Sequence, residues 1–120
     1  MRKAGLTHCC SRREIKIMHI AIFITAANKK EAEGIAAALI KAKLAACVNI
    51  IDKVDSFFRW QGKIDKAKEC LLIVKSKKSS LLKIIAKVKA LHSYSLPEII
   101  ALPIISGDKE YLRWIDDSVR

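Results

Sequence analysis

Two stretches of helical apolar spacing, each set between short runs rich in β-branched residues, restrict this chain more than any other feature. The first begins at Asn28, with Glu31 completing a capping-box-like start. Its stripe is Ala32, Ile35, Ala36, Leu39, Ile40 and Leu44, with lysines on the other face. The alanines at 36, 37 and 38 suggest close packing on a sheet. The second takes Ser79 or Ser80 as its cap and turns Leu81, Leu82, Ile85, Val88 and Leu91 inward. Met18–Thr25 (MHIAIFIT) reads as a buried strand before the first helix, and Ala46–Ile51 as a strand after it. Strand, helix and strand in this order imply a parallel pair with a right-handed crossover.

Val54–Gln61 (VDSFFRWQ) continues as a strand, Gly62–Lys66 reads as a turn region, and Glu69–Lys75 (ECLLIVK) as a third long strand. Residues 46–75 thus form a long antiparallel hairpin with a bend near Asp52. Ile99–Ile105 is the last core strand, and Pro103 within it calls for an edge position. Asp108 opens a short C-terminal helix whose apolar stripe is Tyr111, Leu112, Trp114, Ile115 and Val119. The order βαββαβ plus a helix is α+β, a ferredoxin-like split βαβ sandwich. Two helices cover one sheet face. Phe57, Phe58, Trp60 and the apolar strands cannot all point at them, so association through the sheet or the hairpin is the economical cover.

The 120 residues suffice for one domain and carry a formal charge of +11. The lysines are scattered over helix faces and turns, with Glu31, Glu33, Asp65 and Glu69 among them. No aromatic-interleaved motif for base stacking is present, so a solvated basic surface is favoured over nucleic acid as a partner. No apolar run approaches the ~18 residues of a membrane span, and no membrane partner is expected. Cys9, Cys10, Cys47 and Cys70 show no CxxC spacing, which points to a reducing, cytoplasmic setting. Residues 1–17 carry Arg2, Lys3, Arg12, Arg13 and Lys16 against Glu14, hence +4 of the +11. They read as a basic N-terminal extension, either a disordered tail or an over-called start before Met18, with 18–120 as the domain. His8, Cys9 and Cys10 could catch a metal opportunistically.

Two short runs hold the chemistry, Ala45–Asn49 and His92–Glu98. Cys47, His92 and Glu98 offer a thiol, an imidazole and a carboxylate, a set suited to Cu²⁺ or a similar divalent ion. Each also has an architectural reading. Cys47 fits a buried inert thiol. His92 fits a ring bonded at a helix C-terminus. Glu98 is costly to bury beside Ile99 unless paired, and Lys75 is its candidate partner in an ion pair. Trp60 and Tyr94, with Lys75, are candidates for a ligand cleft or a subunit boundary; a core role fits the two aromatic residues equally well. No serine–histidine–acid order and no glycine-rich phosphate loop is present, so no enzyme activity and no organic cofactor are expected.

The runs Leu44-Ala45-Ala46-Cys47-Val48-Asn49-Ile50, Trp60-Gln61-Gly62-Lys63-Ile64 and Leu71-Leu72-Ile73-Val74-Lys75-Ser76 come in order. His92-x-Tyr94-x-x-Pro97-Glu98-Ile99 and Tyr111-Leu112-x-Trp114 complete the series. In this order and spacing, from Met18 to the C-terminus, the chain resembles the CutA family of divalent-cation tolerance proteins. The resemblance implies a ferredoxin-like protomer in a tight homotrimer, and a link to copper and other divalent metals. Ser93 and Ser95 stand where the family commonly has proline and an acidic or polar residue; Gln61 stands where relatives are often acidic. Three functions follow as expectations: a trimer that buffers or senses divalent metal, a signalling trimer that holds a small anionic effector between subunits, and a structural adaptor.

Overall fold

Alternating burial along His19–Ala26 marks a strand (β1) that shows one side to a helical layer. The computed structural model describes residues 16–120. After β1 come α1 (Lys29–Lys41), β2 (Cys47–Trp60) and β3 (Lys63–Lys77). A 3₁₀ turn at Lys78–Ser80 leads into α2 (Leu81–Leu91), followed by β4 (Ile99–Ile104) and α3 (Lys109–Ser118). The strands order as β2-β3-β1-β4, the split βαβ arrangement with a C-terminal helix added. β1 and β2 run parallel, as the crossover implies, but they are not adjacent. β3 lies between β1 and β2, and the pairings β1–β3, β1–β4 and β2–β3 are all antiparallel.

Even-numbered residues of β1 and β3 face the helices. Ile20, Ile22, Ile24, Cys70, Leu72 and Val74 join Ala32, Ile35, Leu39, Ile84 and Val88 in one cluster. Each large aliphatic side chain so buried contributes roughly 1.5–3 kcal/mol. The phase of α2 differs from expectation. Ile84 and Val88 point inward, while Leu82, two residues from Ile84 and across the helix, is 80% exposed. Ser80 stands at the N-cap without a side-chain cap bond. Asn28 caps α1 as expected, accepting from the Glu31 N–H at 2.8 Å, and Glu31 accepts from the Ala27 N–H at 3.0 Å.

The hairpin is longer and tighter than the sequence suggests. Its turn is only Gln61-Gly62, at φ 49° and 78°, the twist-matched two-residue geometry. The ladder then resumes at Lys63 opposite Trp60. The bend near Asp52 is a register shift between Ile51 and Val54, with Lys53 at φ 60°. Pro103 sits on edge strand β4 opposite Ile20, where one side lacks a ladder partner.

Odd-numbered residues form the second sheet face. α3 covers one end of it: Asp116 bonds the His19 ring at 2.8 Å, and Ile115 and Val119 are buried. Asp108 caps α3 through the Tyr111 N–H. The chain thus supplies part of the missing cover itself. Phe57, Phe58, Trp60, Ile64, Ile100 and Leu102 remain exposed. Ile17 packs at the edge of the main core. The rest of the expected extension, including His8, Cys9 and Cys10, lies outside the described residues apart from Lys16.

Candidate functional site

The loop after α2 is clamped by its own first residues. His92 is the C-cap of α2, and its side chain is fully buried. Nε2 donates to the Thr25 carbonyl at 2.6 Å, and Nδ1 accepts from the Tyr94 N–H at 3.0 Å. Both ring nitrogens are spent on backbone, so the ring has no lone pair left for a metal in this conformation. The expectation that His92 is a ligand gives way to its architectural reading. Glu31 holds the same loop by accepting from the Ser93 N–H at 2.9 Å. Burial pushes the Glu31 carboxyl up, but its bonds from Ala27 and Ser93, with His92 nearby, bring it below the ordinary value.

Tyr94 reaches the other way. Its hydroxyl donates to Glu69 Oε2 at 2.9 Å, and Glu69 is only 8% exposed. Burial, and then Glu69, pushes the Tyr94 phenol up to about 12. Glu98 is exposed rather than buried in a core strand. Partial desolvation, followed by the charge of Glu69, raises its carboxyl above the ordinary value. Glu98 therefore lies close enough to Glu69, the partner of Tyr94, to feel its charge.

Cys47 opens β2 directly opposite Lys75. The Lys75 ammonium donates to Asn49 Oδ1 and lies 4.0 Å from the Cys47 sulfur. The Asn49 oxygen is 3.9 Å from that sulfur, so the thiol makes only long contacts. Tyr111 of α3 completes this corner; burial, then Cys47, raises its phenol.

The expected Lys75–Glu98 ion pair does not form. Lys75 pairs with Ala21, which pairs with Leu102, whereas Glu98 precedes Ile99, which pairs with Ile24. The metal set is equally dispersed within one chain. Cys47 begins one edge strand and Glu98 precedes the other, with β3 and β1 between them. Three strand spacings make about 14 Å, far beyond a shared ion. Among the described residues no three His, Cys, Asp or Glu side chains are grouped to hold a metal. Trp60, Lys75 and Tyr94 do not line one cleft either. Tyr94 bonds Glu69 opposite Val54, while Trp60 lies six residues up the hairpin and Lys75 six residues down β3, roughly 20 Å each way.

Sequence reasoning gave Glu69 no site role, and gave Glu31 only a capping role and Asp52 only a bend. Glu69 carried a signal, a carboxylate at the head of an apolar strand. Asp52 sits by the bulge and accepts from the Cys70 thiol at 3.1 Å. Burial, then Asp52, pushes that thiol up to about 11, which leaves Cys70 an inert core residue.

Residues 20–118 match the family described as CutA1 divalent ion tolerance protein. The divalent-cation tolerance protein CutA of Archaeoglobus fulgidus is 50% identical over 102 residues, 85% of this chain and 99% of that one. The Thermus thermophilus protein of the same name is 44% identical over 101 residues, 84% and 98% of the two chains. The solved structure of the Archaeoglobus protein, described as periplasmic, superposes with a TM-score of 0.84 over 86% of this chain and all of that one. Rice CutA1 gives a TM-score of 0.84 at 40% identity, over 89% and 98% of the two chains. A rice relative of 43% identity is named chloroplastic. With its motifs, its strand order and these likenesses in agreement, the chain belongs to the CutA1 family of divalent ion tolerance proteins.

Proposed function

We propose that this chain works as a cytoplasmic homotrimer that binds copper or a similar divalent cation in a buffering or sensing role. The observation that carries the reading is the combination of an apolar hairpin exposed to solvent and two donors at opposite edges of the sheet, Cys47 at the start of β2 and Glu98 just before β4. Phe57 is 71% and Ile64 76% exposed, a state that a second copy would relieve. In a closed ring, one edge of each subunit meets a different edge of the next. Cys47 and Glu98, remote within one chain, would need donors from a neighbouring copy to complete a site. The thiol and carboxylate suit a borderline ion, and a cation near Glu98 also relieves its repulsion with Glu69. A binding role rather than catalysis is supported by His92, whose ring is fully engaged and cannot activate the Cys47 thiol. The rival in which Lys75 anchors an anionic effector is weaker, because its ammonium already serves Asn49.

Calorimetric titration of Cu²⁺ into the oligomer tests this. The double variant Cys47→Ser, Glu98→Gln is expected to lose the bound copper and keep its oligomeric state. His92→Ala is expected to keep copper while losing stability. Affinity of the unmodified protein should fall as pH drops, since coordination needs the thiolate. Unchanged copper uptake in the double variant would overturn the assignment.

A further inference from the structure

The junction between β3 and α2 carries a feature that neither the sheet association nor the metal reading uses. The N–H of Lys78 donates to the Met18 carbonyl at 2.9 Å, pinning the lead into β1 beside the end of β3. Lys16, Ile17, Met18, Lys77, Lys78, Ser79 and Leu82 line an open hollow of about 810 Å³ there. Among the described residues its rim holds three ammonium groups and no carboxylate. Among the described residues none of these lysines makes an ion pair. The nearby Asp116 is held by His19. Two large apolar side chains stand among the charges: Leu82 is 80% and Met18 50% exposed. Leu82 cannot turn inward, because Ile84 and Val88 anchor the opposite side of α2. The outer face of that helix continues with Lys83, Lys87 and Lys89, and the helix contains no acidic residue.

We propose that this junction is a peripheral docking surface for an anionic lipid leaflet. Charge complementarity chooses the partner, and the apolar residues refine the choice. A soluble anion would satisfy the lysines and leave Leu82 and Met18 in water. Nucleic acid would do the same, and among the described residues no aromatic side chain lines the hollow for base stacking. A leaflet takes both: the lysines meet headgroups, and Leu82 and Met18 enter the boundary with the acyl chains. The sequence-based expectation of no membrane partner rested on the lack of a spanning segment, and a peripheral contact needs none. The junction lies at the end of β3 remote from the hairpin tip, fourteen residues from Lys63, or roughly 46 Å along the strand. Packing of the hairpin tip against another copy therefore does not reach it.

Vesicle co-sedimentation of the full chain tests the proposal. Vesicles with about 30% phosphatidylserine should bind the protein at about 0.1 M salt, and phosphatidylcholine vesicles should not. Lys77→Glu with Lys78→Glu should cut partitioning more than about tenfold, and Leu82→Ser a few-fold. Lys30→Glu with Lys109→Glu, the same charge change elsewhere, should keep most of the binding. Circular dichroism and oligomer size confirm that each variant is folded. Failure to bind the anionic vesicles would overturn the proposal, as would an equal loss in both double variants. So would an unchanged Leu82→Ser, which would reassign the lysines to a soluble polyanion.

Discussion

The body of the molecule and the outer half of its hairpin are built on opposite terms. In the body, Ile22, Ile24, Leu72, Val74, Ile84 and Val88 are wholly buried between sheet and helices. In the hairpin between Val54 and Lys68, the ladder is equally regular, yet Phe57, Phe58, Trp60 and Ile64 face solvent. Backbone pairing and one exposed ion pair, Lys68 to Asp55 at 3.2 Å, hold those strands in register, and an isolated two-stranded ribbon is marginal in water. The body satisfies its apolar surface within one chain, whereas the hairpin extends beyond anything its own chain can pack against. Its aromatic residues make sense as contacts with further copies.

The sharpest way to separate the two regions is to damage each in turn. Leu72→Ala in the body is expected to cost about 2–5 kcal/mol of stability, read by urea denaturation, whatever the oligomeric state. Replacing Phe57, Phe58 and Trp60 together with serine should weaken association by about a hundredfold or more, roughly 2.7 kcal/mol. Native mass spectrometry would then show monomer at concentrations where the unmodified chain is assembled, with far-ultraviolet circular dichroism little changed. A hairpin variant that unfolds the whole chain would erase the distinction.

A smaller effect lies at the boundary of the regions, where Tyr94 ties the loop to Glu69. Tyr94→Phe leaves the buried carboxylate without its donor and is expected to cost about 1–3 kcal/mol. The phenol is raised to about 12 in the folded protein. Its contribution to stability is therefore complete below the ordinary tyrosine value near 10 and is lost as pH rises through about 12. The phenylalanine variant should show a shallower alkaline loss in denaturation from about pH 10 to 12, with the part due to Cys70 retained.

The sequence was most legible where one residue's chemistry fixes a local geometry. Asn28 with Glu31, Asp108, the bend by Asp52 and the edge position of Pro103 all stand where expected. Periodicity says which face a residue takes and not which strand lies beside it; the insertion of β3 between β1 and β2 was legible only through the βαββαβ order of elements, which the split βαβ reading carries. Gly62–Lys66 reads as a turn because nothing apolar dominates it; the tight Gln61-Gly62 turn nevertheless carries the ladder through the rest of it. Leu82 and Ile84 both fit a helical stripe, and only packing against the sheet selects Ile84. The site was less legible, because its decisive bonds are long-range. His92 meets Thr25, 67 residues earlier, and Tyr94 meets Glu69 across 25. No spacing within the His92–Glu98 run announces that its imidazole is already engaged.

Native mass spectrometry of the unmodified full chain at about 1 μM, a concentration at which only a strong interface persists, is the most direct test of the contrast between body and hairpin. The expected result is a single trimeric species, with the exposed aromatic residues of the hairpin buried between copies. A stable monomer at that concentration would contradict it, since the hairpin would then stand in water unaided and Cys47 and Glu98 would have no neighbouring copy to complete a metal site.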